Sequence, residues 1–181
     1  AYWLWSLIDH KLILGWVGLM AGLIVAGLTM YARFGASVND ARDAVLWERR
    51  FTVKSLISGA AWGVLALLTL PAGADDQQLF LVLTLATVAL GATGVLAPSK
   101  PAFYGFVLPA MLPLALGLIV GPATTFALAG WSMLAYLGLL LLLHDLFHRS
   151  LTSTLTKRLE SDALAQEEQV IFDTAAEGII T

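Results

Sequence analysis

Long apolar runs, separated by short polar or Gly/Pro-bearing segments, repeat along the chain, each about long enough to cross a bilayer as a helix. The last run is the most informative. Residues 126–143 are apolar, with Trp131, Tyr136 and a leucine run at 139–143. The chain then passes through His144-Asp145-Leu146-Phe147-His148-Arg149 and continues, without Gly or Pro, as a polar segment to Gln166. The apolar part can span a hydrocarbon core of about 30 Å. The polar part keeps one apolar row, Leu151, Leu155, Leu159 and Ala163, at every fourth position, as a water-exposed helix with one apolar side would. The pattern predicts a single helix over 126–166 that leaves the membrane and continues as a mechanical link.

Further spans precede it at 12–31, 51–70, 77–96 and 102–120. The first contains Gly18-Leu-Met-Ala-Gly22 and the second Gly59-Ala-Ala-Trp-Gly63, two GxxxG patterns that allow close helix approach and predict helix packing. The third is dotted with small residues, as a tightly packed interior helix would be. In the fourth, Pro109 and Pro113 predict a kink and a flexible element. Residues 35–50 form the longest polar connection, where Asn39 or Asp40 can cap a short helix with Val45, Leu46 and Trp47 on its apolar side. Pro71–Asp76, Pro98-Ser-Lys-Pro101 and Gly121-Pro122 read as turns. The opening Ala-Tyr-Trp-Leu-Trp reads as the last turn of a helix lying at a membrane interface. The expected fold is all-α: a polytopic transmembrane helix bundle of five complete spans plus the end of a sixth, continuing into a cytoplasmic signalling helix.

Composition supports a membrane setting. The chain is 59% hydrophobic and 13% charged, where a soluble domain is about a quarter charged. The lipid bilayer is thus the principal expected partner. A net charge of −3 gives no reason to expect nucleic acid. With no cysteine, disulfides, thiolate metal sites and cysteine nucleophiles are excluded. Basic residues gather in alternate connections: Arg33, Arg42, Arg49, Arg50 and Lys54, then Lys100, then Arg149, Lys157 and Arg158. The other connections hold only Lys11, beside Asp9. By the positive-inside rule the basic connections and the C-terminus face the cytoplasm.

The spans carry almost no ionisable residues, and this counts against a pump, proton-coupled transporter or channel. His144 and His148 stand one turn apart on one helix face. The sharper reading makes them cofactor ligands, for haem iron or another metal. The plainer reading makes them interfacial residues, and it is favoured because no third histidine lies on that side. His10 belongs to the opposite side and reads as an ordinary loop histidine. Of the tryptophans, Trp62 is mid-span and is either a pocket residue or, more simply, helix packing. No phosphate-binding Gly-rich loop, paired catalytic carboxylates, Ser–His–Asp set or HExxH motif is present, so no catalytic residue is expected in this segment.

Glu168-Gln-Val-Ile-Phe-Asp-Thr-Ala-Ala-Glu-Gly-Ile-Ile-Thr181 resembles the opening of a PAS domain. Val170-Ile171-Phe172 would be the apolar face of a short helix, Ala176-Glu177-Gly178 a turn, and Ile179-Ile180-Thr181 the start of a strand. The membrane part is similar to the multi-span N-terminal regions of bacterial PAS/GGDEF/EAL-type signalling proteins. The matching features are Trp47-Glu48-Arg49-Arg50, Ser58–Gly63, Pro101–Pro113 and the linker 155–164. The resemblance implies a sensor/anchor bundle over 1–147, a cytoplasmic helical linker over 148–167 and the beginning of a PAS domain over 168–181. It implies a bacterial cytoplasmic membrane location and an output in cyclic-di-GMP turnover, as a synthase or a phosphodiesterase. A histidine kinase input region, a haem-binding redox sensor and a passive anchor are the alternatives. A homodimer is expected, with Leu151, Leu155 and Leu159 as signal-transmitting seam residues and Pro109/Pro113 as the flexible element. A four-residue spacing drifts about 40° per step on a helix, so any such coiled coil would be short or shifted in phase.

Overall fold

The computed structural model describes the backbone of residues 10–37, 41–70, 75–121 and 124–180, with side chains in most of these stretches as far as Gln166. It has five α-helices: α1 (His10–Ser37), α2 (Ala41–Thr69), α3 (Asp75–Val95), α4 (Lys100–Val120) and α5 (Thr124–Ile180). There is no strand among the described residues. All five helices are long and apolar enough to cross a membrane, which marks the chain as a membrane protein. The aromatic stub expected at the start lies outside the described residues.

The connection between α1 and α2 is shorter than polarity predicts. α1 remains helical to Ser37 and α2 is already helical at Ala41, so the expected separate short helix is the first part of α2. No Gly or Pro interrupts 41–58, and extending a helix costs less than nucleating a second one. The expected caps Asn39 and Asp40 lie outside the described residues.

α5 is longer than predicted. Its 57 residues reach about 85 Å at 1.5 Å per residue. The turn expected at Ala176-Glu177-Gly178 and the strand expected from Ile179 are helical as far as Ile180, and Thr181 lies outside the described residues. A strand needs a neighbour for its N–H and C=O groups, and no described strand offers one; a helix satisfies them internally.

α4 is the centre of the bundle. It packs on α2, α5 and α3, while α1 packs on α2. Phe103, Val107, Met111, Leu114 and Leu118 form one buried stripe at helical spacing, with Ala102, Phe106 and Ala110 buried beside it. Ser99 caps α4, its hydroxyl oxygen accepting from the Ala102 N–H at 3.4 Å, and Pro101 occupies the first turn, where its missing N–H costs nothing. Pro109 and Pro113 sit inside the helix without ending it. Each removes one backbone bond, so the carbonyls of Gly105 and Pro109 lose their usual donors.

The two GxxxG patterns have different surroundings. Gly59 and Gly63 lie directly against the α4 main chain, at the carbonyls of Phe106 and Pro109, where a Cβ would overlap. Such close approach permits Cα–H···O contacts between α2 and α4. At Gly18 and Gly22 an added Cβ would meet nothing within 4 Å. α1 is held to α2 instead by Trp16, whose indole N–H donates to the Ala61 carbonyl at 3.0 Å. The Trp16 ring also meets Trp62 edge-on, with centroids 4.8 Å apart. Trp62 is thereby a packing residue between the two helices.

Candidate functional site

The buried face of α5 runs through Met133, Leu137 and Leu140, and its next member is His144. These positions follow a helical repeat of three and four, so the residue type changes while the direction of the side chain does not. His144 is fully buried. Its ring stacks on Phe103 of α4, with centroids 3.9 Å apart and planes 6° from parallel, and meets Tyr104 edge-on at 6.0 Å. The Thr93 main chain approaches the ring, but neither ring nitrogen reaches hydrogen-bond geometry with a protein group. A polar group so enclosed costs stability relative to an apolar one of the same shape.

His148, one turn on, is half-buried. Its Nδ1 lies 3.0 Å from the carbonyl of Ala97 in the α3–α4 turn. A carbonyl only accepts, so Nδ1 carries a proton and donates it to Ala97. The two imidazoles are layered, with centroids 6.2 Å apart and planes 21° apart.

A polar ring surrounds this pair. Lys100 at the start of α4 contacts Asp145 at 2.5 Å, and Arg149 reaches the other oxygen of the same carboxylate at 2.6 Å. Ser99 donates to Glu48 of α2 at 3.0 Å. These bonds bring the start of α2, the α3–α4 turn and the middle of α5 to one end of the bundle. α5 leaves the bundle at this point: from Arg149 to Gln166 every described side chain is exposed.

No group of three or more His, Cys, Asp or Glu that could hold a metal occurs among the described residues. His144 offers no accessible surface, so a group as large as haem would reach its nitrogens only after α4 and α5 separate. The stacked rings and the shared carboxylate fasten α5 to α4 at the exit.

The other sequence-predicted residues are distributed along that path. Pro109 and Pro113 lie on α4 against α2, away from the histidines. Leu151 and Leu155 are exposed beyond the exit, and the Leu159 side chain lies outside the described ones. Phe103, Tyr104, Lys100 and Asp145 belong to the site but were not legible as a set, because two helices contribute them across a turn and a span. The chain matches no protein-family model, and no curated protein or solved structure matches it.

Proposed function

We propose that this chain is the membrane-embedded input module of a bacterial signal-transduction protein, working as a homodimer with its C-terminal helix on the cytoplasmic side. α5 would pass a signal to a PAS domain and on to GGDEF or EAL domains that turn over cyclic-di-GMP. The observation that carries the reading is α5 itself, one uninterrupted helix packed inside the bundle to His144, with every described side chain from Arg149 to Gln166 exposed. An anchor needs no such continuity. The asymmetric distribution of Arg and Lys supports the orientation, and the exposed row of Leu151 and Leu155 supports a partner helix.

Signal passage in this reading is a population shift between two packings of the bundle. α4 touches three other helices and contains the two prolines, so a change in its packing reaches α5 through Phe103–His144 and Lys100–Asp145. The test is made on the full-length protein in membranes. Asp145→Asn should change output activity, and that change should vanish when Thr154→Pro breaks the exposed part of α5. A Thr154→Pro protein that still responds to Asp145→Asn as the unbroken one does would refute transmission through α5.

A further inference from the structure

A groove of about 550 Å³ lies between α1 and α2, away from the histidine site. Its walls change character along their length. Leu23 and Ala26 of α1 face Val53 and Ile57 of α2 in the apolar part. At the end where α1 finishes and α2 begins, Arg49, Arg50, Lys54 and Trp47 line it, with Arg33 opposite. No carboxylate pairs with Arg49, Arg50 or Lys54 among the described residues. Arg50 rests over the Trp47 ring at 5.4 Å.

Lys54 is the telling residue. It lies a turn deeper than Arg50, is half-buried, and crosses to α1 at Gly27. A Cβ on Gly27 would come within 2.7 Å of the ammonium nitrogen. The absent side chain therefore gives the cation its place between the helices. The Phe51 ring, 5.5 Å from the ammonium, offsets part of the cost of holding a cation there without a carboxylate, and an anion would offset more.

We propose that this groove binds one anionic phospholipid, its phosphate between Arg50 and Lys54 and an acyl chain along Leu23, Val53 and Ile57. The chemistry fits on both counts. Cations and a tryptophan, the residues that favour the headgroup region, line one end, and the apolar part of the groove continues from them. α1 has few contacts with the rest of the bundle, so a lipid seated here would supply part of its attachment to α2. A soluble phosphate ligand would leave the apolar half of the groove unused.

The test is native mass spectrometry of the full-length protein after exchange into bilayers holding equal amounts of phosphatidylglycerol and phosphatidylcholine. Wild type should retain phosphatidylglycerol selectively. Each cation near an anionic lipid contributes roughly fivefold, so Arg50→Gln with Lys54→Gln should lower that retention by roughly 30-fold. Ala26→Trp, which fills the slot and leaves every charge in place, should lower it as well. Lys157→Gln with Arg158→Gln removes the same charge outside the groove and should leave retention unchanged. Equal retention of both lipids by wild type, an unaffected Ala26→Trp protein, or an equal loss in the Lys157/Arg158 variant would each overturn the proposal.

Discussion

Replacing Gly59 and Gly63 together by alanine tests the packing of α2 on α4 most directly. At Gly59 the new Cβ would stand 2.9 Å from Cα and 2.8 Å from the carbonyl carbon of Phe106. These are backbone atoms of a central helix and cannot swing aside as a flexible side chain would. The Phe106 carbonyl oxygen lies closer still, so reaching an ordinary carbon–oxygen contact requires α2 to withdraw by roughly 1 Å. At Gly63 the obstacle is the Pro109 carbonyl, with Pro113 Cγ at 3.1 Å behind it. Overpacking of this kind costs about 1–3 kcal/mol per site. Alanine's better helix propensity returns at most about 1 kcal/mol per site. Two sites therefore cost about 2–6 kcal/mol and regain at most about 2, so the double variant should stand about 2–6 kcal/mol below one that gains propensity alone. Gly18→Ala with Gly22→Ala is the matched control, since a Cβ at either position meets nothing within 4 Å and only the propensity gain remains. Unfolding of the purified protein from detergent micelles by sodium dodecyl sulfate, followed by circular dichroism, reads both. Equal midpoints for the two double variants would refute the reasoning, because identical motifs would then behave identically whatever they face.

Two other changes probe the fastening of α5. Asp145→Asn leaves Lys100 and Arg149 without their shared carboxylate, but all three groups reach solvent, so the unfolding midpoint should fall only slightly and the difference from wild type should shrink in high salt. Tyr136→Phe removes only the phenol that donates to the Ala86 carbonyl at 3.0 Å, a loss of roughly 0.5–1.5 kcal/mol in the same titration, with the α3–α5 contact otherwise intact.

Hydrophobic pattern alone determined that the chain is helical, where its apolar segments lie and that the last helix outruns the bilayer. A helix in lipid must satisfy its backbone internally, so run length and composition suffice to find it. The same local information fails where a competing neighbour decides the outcome. The stretch from Ala176 offers both a turn-and-strand reading and a helical one, and with no described strand beside it the helix continues to Ile180. The polar character of 35–50 suggested a connection with a short helix of its own, yet 41–50, which has no Gly or Pro, extends α2 instead. Gly18/Gly22 and Gly59/Gly63 are the same motif in sequence, and only the path of α4 gives one of them a backbone to touch. His144 and His148 were visible as a pair one turn apart, but their environments differ. One ring is enclosed by Phe103 and Tyr104, the other is tied to the Ala97 carbonyl, and these partners all come from segments forty or more residues away. Spacing along a helix fixes which side chains share a face; what that face meets is set by how separate helices pack, and that belongs to the tertiary structure.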